Sequence, residues 1–221
     1  MSIDAKATVK IGEFDRGGKN RVFKKAHDHD FNVIGMTTPV GFLLPKYDDL
    51  TLYMVSSKVT SDCLVDLLDQ WWGEKKKDFP DVNRLVLNLD NGPEQHSHRT
   101  QFMKRIQMFA NKSHLEIQLA YYPPYHSKYN PIERTFGILE LHWNGELLDC
   151  LEAVYGYAKS MTWKGKHPIV KTVEEIYEKG IKLSKKAMNN LNSGFERFKG
   201  LEKWFVLVRP QEENLGDLIS V

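Results

Sequence analysis

The run Arg84-Leu85-Val86-Leu87-Asn88-Leu89, closed by Asp90-Asn91-Gly92-Pro93, constrains the fold more than any other segment. A compact apolar run ending in turn formers reads as a buried strand followed by a turn, which puts Asp90 at the strand's C-terminal end. Phe102, Ile106 and Phe109 then recur at helical spacing, and Leu115, Ile117 and Leu119 alternate with polar residues as a second strand. Strand, helix and strand in this order imply a parallel pair joined by a right-handed crossover. Ligands of such sheets gather at the carboxyl ends of strands, where Asp90 would stand.

The flanking sequence fits a sheet of the same kind. Ala7 to Gly12, Val40 to Leu44 and Leu50 to Ser56 read as strands, three early ones that suggest a meander. Leu64, Leu67, Leu68, Trp71 and Trp72 follow the spacing of an amphipathic helix, with Thr60 or Ser61 as its cap. Tyr121 to Tyr129 is a loop rich in aromatics and prolines. Asn130-Pro131-Ile132-Glu133 then opens a helix that carries Ile132, Phe136, Leu139 and Trp143 on one face and stops at Asn144-Gly145. Further helices are expected around Leu147 to Ala158 and Lys185 to Leu191, and a last strand at Trp204 to Val208. A meander followed by strand, helix, strand and helix describes an α/β fold, a mixed β-sheet flanked by helices on both faces.

Bulk properties narrow the class. With 221 residues, 41% hydrophobic and 27% charged, the chain can bury a sizeable core as one ordinary globular domain. The longest uncharged stretch, Phe31 to Pro45, is shorter than a bilayer span and is broken by Gly35, Thr37, Thr38, Pro39 and Gly41, so no membrane span is expected. The opening Met1-Ser2-Ile3-Asp4-Ala5-Lys6 lacks the basic start and apolar core of a secretory signal. Cys63 and Cys150 are isolated and supply neither a zinc knuckle nor a disulfide framework, which fits a reducing, cytoplasmic compartment. A net charge of +2 decides nothing about nucleic acid. Between Lys159 and Lys186, however, eight lysines stand against three glutamates, a bias that suits either phosphate contact or a solvated surface.

Two carboxylates stand at ends of elements, and each has two readings. Asp90 is either a turn residue that bonds its own backbone or a metal ligand at a strand end. Glu133, three residues after Asn130, is either the reciprocal partner in a capping box or a ligand in the first turn of a helix. Cutting or joining a phosphodiester needs an activated water or hydroxyl, a stabilised anionic transition state and a neutralised leaving oxygen. Two divalent ions about 4 Å apart, held by carboxylates from distant parts of a chain, supply all three. The residues alone leave both readings open.

The segment Tyr122-Pro123-Pro124-Tyr125-His126-Ser127-Lys128-Tyr129-Asn130-Pro131-Ile132-Glu133-Arg134 resembles the tyrosine/proline loop and Asn-Pro-x-Glu helix start of mariner-type and related insertion-sequence transposases. Asp90-Asn91-Gly92-Pro93 resembles their second acidic motif, and positions 91 to 132 form a gap within the range of DDE enzymes. Ser2-Ile3-Asp4-Ala5-Lys6, Val9-Lys10-Ile11-Gly12, His29-Asp30-Phe31, Trp71-Trp72 and His142-Trp143-Asn144-Gly145 look more narrowly like the bacterial branch called the Rhodopirellula-type DDE transposases. The likeness runs from Ser2 to about Val208.

This resemblance implies a ribonuclease-H-like fold and a single DDE catalytic domain over residues 1–221, with 146–221 a helical C-terminal extension. It implies Asp4, Asp90 and Glu133 as catalytic and metal-binding residues for two Mg2+ or Mn2+ ions. The implied reaction is hydrolysis at transposon ends followed by strand transfer. The implied partners are double-stranded DNA, as transposon ends and target, and a second copy of the chain in a homodimer, with no membrane and no small-molecule cofactor, at the bacterial nucleoid. Lys128, His126, Arg99, Arg134 and Tyr125 become candidate DNA contacts, Lys128 foremost, with His96 and His98 nearby. Tyr121, Tyr122, Tyr125 and Tyr129 either stack on bases of a distorted flank or pack the loop onto the helix after it.

Family members carry residues before the first aspartate that complete the central strand, and a helix-turn-helix before that. With only Met1, Ser2 and Ile3 ahead of Asp4, a fragment or a degenerate copy without that region is expected. Two alternatives therefore stand beside an active enzyme: an inactive DNA-binding or dimerising remnant, and a ribonuclease-H-like nuclease without strand transfer. His27-Asp28-His29-Asp30 invites a metal-site reading, but alternation on a strand would put the histidines on one face and the aspartates on the other. The expectation is a polar loop near the active cleft.

Overall fold

A computed structural model describes residues 1–14, 16–17, 33–123, 129–178, 183 and 194–211. In chain order the elements are β1 (Ser2–Ala5), β2 (Val9–Ile11), β3 (Gly35–Leu44), β4 (Asp49–Val55), α1 (Ser61–Lys75), β5 (Arg84–Leu89) and α2 (Thr100–Ser113). They continue with β6 (Glu116–Tyr121), α3 (Pro131–His142), α4 (Leu151–Ser160), β7 (Ile169–Val173), β8 (Phe195–Arg197) and β9 (Phe205–Val208). The chain divides into two compact units, each assembled from two stretches: Met1–Val59 with Pro124–Glu178, and Thr60–Pro123 with Lys179–Val221.

In the first unit β3 is the hub. β1 and β2 both pair antiparallel to it, and β4 follows it as a hairpin through a turn in which Asp48 adopts a left-handed φ of 51°. β7 joins β4 in parallel, from Thr51 opposite Ile169 to Val55 opposite Val173, so these strands are of mixed direction. Leu43, Leu50, Leu52 and Met54 meet Ile132, Phe136, Leu139, Trp143 and Val154 in the core. The helical residues recur at intervals of four, three and four, which lines them up as one apolar stripe of α3. Each such side chain stabilises the fold by about 1.5–3 kcal/mol when buried.

In the second unit β5 and β6 run parallel, from Arg84 opposite Glu116 to Leu89 opposite Tyr121, with α2 connecting them as the sequence predicts. β9 pairs antiparallel with β6 and β8 with β9, so this half is mixed as well. Between the two cap candidates of α1 the structure selects Thr60, whose hydroxyl accepts from Cys63 N at 3.2 Å. Leu64, Leu67, Leu68, Trp71 and Trp72 are all buried, as their spacing requires.

Several elements differ from the sequence reading. β1, an opening strand implied by the family likeness alone, carries no strand signal of its own and forms because β3 offers it a partner from Ser2 opposite Leu43 to Ala5 opposite Val40. β3 begins at Gly35 rather than Val40, since pairing with β2 and β4 overrides the weak propensity of its glycine and proline. The strand expected over Ala7 to Gly12 shortens to β2. From residue 146 onward, expected as a helical extension with a last strand at Trp204 to Val208, the described residues hold α4 and that strand as β9, but also β7 and β8. The helix expected at Lys185 to Leu191 and the His27 to Asp30 motif lie outside the described residues. No described helix is long and apolar enough to cross a membrane.

Candidate active site

Asp4 lies on β1 with 6% of its surface exposed, directly opposite Gly41 on β3. Opposed residues of an antiparallel pair share a face, and Ser2, two residues earlier, shares it too. Ser2 stands opposite Leu43, which belongs to the core beneath α3 and α4. A Cβ on Gly41 would come within 2.6 Å of Ile132 Cδ1 and 3.1 Å of Phe136 Cε1. The missing side chain of Gly41 therefore lets α3 lie close over β3, beside Asp4. The Oδ1 of Asp4 accepts from Ala5 N at 2.8 Å.

Two attachments fix α3 along β1. At the helix N-terminus the Ser2 hydroxyl donates to Asn130 Oδ1 and accepts from Ile132 N at 3.2 Å. Asn130 makes no side-chain cap bond to its own helix, so a strand residue caps α3 instead. Ser2 and Asn130 are fully buried, and Asn130 Nδ2 has no acceptor among the described residues. Near the other end Lys6 Nζ pairs with Glu140 and lies 5.7 Å from the centre of the Trp143 ring, while Trp143 Nε1 donates to Glu140 Oε2 at 2.7 Å. Burial raises the pKa of Glu140, but the bonds from Lys6 and Trp143 outweigh it and the net shift is downward. The spans agree: four strand steps from Ser2 to Lys6 cover about 13 Å, and eight helical steps from Ile132 to Glu140 cover about 12 Å.

Glu133 sits in the first turn of α3, half-buried. No described residue donates to its carboxylate, so the capping box is not formed; the Ser2 hydroxyl serves the helix start instead. Carboxylate charge is favoured in this position by the helix dipole.

Asp90, in the second unit, follows β5 directly. Its Oδ1 accepts from Gly92 N at 3.0 Å and from Gln95 Nε2. The turn reading is thus correct, without excluding the chemical one: both bonds land on Oδ1, and among the described residues nothing donates to Oδ2. A Cβ on Gly92 would stand 3.0 Å from Asp90 Oδ1, so the glycine lets the loop fold over the carboxylate. Gln95 is held in turn by Tyr121, whose hydroxyl donates to Gln95 O at 2.7 Å. Burial, with a smaller contribution from the charge of Asp90, pushes the Tyr121 phenol well above its ordinary range. Tyr121 is therefore a buried support of the Asp90 loop rather than a base-stacking platform.

The candidate DNA contacts separate. Arg134 is exposed and has no carboxylate partner among the described residues. Arg99 is committed to Glu94 at 3.1 Å. Tyr129 is exposed and Tyr122 half-buried, while Tyr125, His126 and Lys128 lie outside the described residues. Sequence reasoning missed Ser2, Gly41 and Gln95. Ser2 was open to discovery, because it alternates with Asp4 and must share its face if the segment is a strand. Among the described residues no group of three or more His, Cys, Asp or Glu side chains stands ready to hold a metal ion. The donor chemistry of Asp4, Asp90 and Glu133, all carboxylate oxygens, nevertheless suits a hard divalent cation.

Comparison with known proteins agrees with this picture of the fold. The chain is similar to the Mos1 transposase paired-end complex with left transposon end, at a TM-score of 0.52 and 10% identity, over 71% of this chain and 45% of that one. At that identity the likeness speaks for the fold, which is α/β and ribonuclease-H-like. The chain spans less than half the length of the Mos1 chain. No curated protein matches. The model of the Rhodopirellula transposase DDE domain matches residues 1–210. The chain, with its acidic residues on β1, after β5 and at the start of α3, belongs to that transposase family.

Proposed function

We propose that the chain is the catalytic part of a bacterial DDE transposase, which hydrolyses phosphodiesters at transposon ends and joins the freed 3'-hydroxyls to target DNA. Asp4, Asp90 and Glu133 would hold two Mg2+ or Mn2+ ions. Those ions, when bound, activate the attacking water or hydroxyl and polarise the phosphate. The chain's own residues do the positioning. Gln95 and the Gly92 amide hold Oδ1 of Asp90 and leave Oδ2 to face a ligand. Ser2 holds the first turn of α3, and with it Glu133, against the strand that carries Asp4.

One observation carries this reading: Glu133 and the Oδ2 of Asp90, on half-buried residues, take no hydrogen bond from any described residue. Carboxylate oxygens that no protein donor occupies are open to a hard divalent cation. The Mos1 complex contains a paired-end assembly with transposon DNA. By extension we assign duplex DNA as the partner, two copies of this chain to the working complex, and the nucleoid as its place of work. Arg134, Lys128, His126 and Tyr125 are assigned to the DNA.

Nicking of a supercoiled plasmid with Mn2+, by the intact chain and by Asp90→Ala and Glu133→Ala, tests the assignment. Nicking by the intact chain that disappears in both variants is expected; nicking that survives them removes the carboxylates from the chemistry. Joined products distinguish a transposase from a nuclease that only cuts. The second reading is an inactive DNA-binding or dimerising remnant. An intact chain that binds DNA and never nicks it establishes that reading.

A further inference from the structure

The second unit carries a cluster of cations that none of the carboxylate chemistry uses. β8 and β9 form an antiparallel hairpin, with Arg197 opposite Val206. Its connection holds Phe198, Lys199, Gly200 at a left-handed φ of 81°, Leu201, Glu202 and Lys203. The bonds Leu201 N to Phe198 O at 2.9 Å and Trp204 N to Leu201 O at 2.8 Å close this turn tightly. The hairpin is fastened to the loop that follows Asp90: Arg197 Nη2 donates to Ser97 O at 2.7 Å, and Ser97 Oγ donates to Lys203 O at 3.3 Å.

What stands out is the absence of countercharge among the described residues. Arg197 spends its other arm on Glu202 O at 2.9 Å, so both its acceptors are neutral carbonyls. No carboxylate pairs with Arg197, Lys203 or His98 among the described residues. The Glu202 carboxylate is turned to the backbone, accepting from Gly200 N at 2.8 Å. His98 is exposed, and partial desolvation followed by Arg197, His96 and Lys203 holds its pKa below the ordinary value, so its ring offers a neutral N–H donor more readily than a charge. Like charges gathered without an anion cost energy, and an incoming anion relieves that cost. Phe198 and Leu201 are exposed beside them, which adds apolar surface to the basic one. The Tyr121 hydroxyl feels both Arg197 and Asp90, so the cluster belongs to the neighbourhood of the Asp90 loop.

We infer that Arg197, Lys203 and His98 form a phosphate-binding site that grips the backbone of duplex DNA beside Asp90. The inference rests on the proposed DNA-handling role and adds a contact surface to it. Backbone phosphates fit because they are repeated anions that accept from a fork of donors, and Arg197 offers a guanidinium already oriented by its carbonyl bonds.

The test is binding of the full chain to a fluorescein-labelled DNA duplex, read by anisotropy across a salt series. Lys203→Ala is the informative variant, because among the described residues it is the backbone oxygen of Lys203, not its side chain, that is bonded. Lys77→Ala, on the turn after α1, removes an equal charge elsewhere in the same unit. The expected result is that Lys203→Ala weakens binding about tenfold at low salt, the worth of one charge-assisted hydrogen bond. It should also lower the slope of log affinity against log salt by about one, while Lys77→Ala changes neither. Arg197→Ala should do the same or more, with circular dichroism confirming that it folds. Wild-type binding with an unchanged slope in Lys203→Ala, or equal losses in Lys203→Ala and Lys77→Ala, overturns the site while leaving the DNA role intact. An intact chain that binds no DNA overturns both.

Discussion

Asp90 and Glu133 are held in place by opposite means. Every described bond to Asp90 comes from within five residues: the Gly92 amide and the Gln95 amide nitrogen close a small turn around its Oδ1. Glu133 owes its position to residues far away in sequence, because Ser2 caps the helix start and Gly41 gives the helix room. The Asp90 turn closes on its own neighbours and takes only an indirect prop from the Tyr121 hydroxyl on Gln95 O, whereas a helix seated by tertiary contacts moves when they change. Substitutions around Glu133 should therefore cost stability and activity together, and those around Asp90 should cost activity with little stability.

The strongest test of that contrast is Gly41→Val, which drives methyl groups into Ile132 and Phe136. A loss of about 3 kcal/mol in urea unfolding is expected, at the upper end for overpacking a core, with nicking lost as α3 shifts. Ser2→Ala comes next. It strands the buried Ile132 amide and Asn130 side chain, and should cost about 2 kcal/mol with faster hydrogen exchange at the Ile132 amide. Gly92→Ala places a Cβ against Asp90 Oδ1, yet in a loop that can yield, so less than about 1 kcal/mol is expected while Mn2+-dependent nicking falls clearly. Equal stability losses for Gly41→Val and Gly92→Ala would break the comparison.

The smallest effect is a pH dependence at the far end of α3. Because the folded pKa of Glu140 lies below its ordinary value of 4.5, its contribution is present above that value and fades as pH falls through the lower folded one. Glu140→Gln should thus destabilise the protein at neutral pH, and the gap from wild type should narrow in acid. A gap that stays constant with pH would remove the Lys6–Glu140 pair from the attachment of α3.

The same contrast explains what the sequence made legible. Asp90-Asn91-Gly92-Pro93 announces its turn because the chemistry is local, and the β5–α2–β6 unit follows from unmixed periodicities. The apolar stripe of α3 is equally plain. β1 is not, since Ser-Ile-Asp-Ala is strand only by virtue of β3. Ser2 and Gly41 look like a terminal serine and a loop-forming glycine until register sets one opposite Leu43 and the other opposite Asp4. β7 and β8 are short and partly exposed, so neither shows a compact apolar run. Family likeness singled out Asp4 as a candidate where periodicity could not.

The central claim is that three carboxylates from distant parts of the chain share divalent cations. A crystal structure grown with Mn2+, with anomalous data collected at the manganese edge, tests it most directly. Anomalous density coordinated by Asp90 Oδ2, Glu133 and Asp4 is expected. Manganese bound elsewhere, or none at these residues in crystals soaked to saturation, would contradict it.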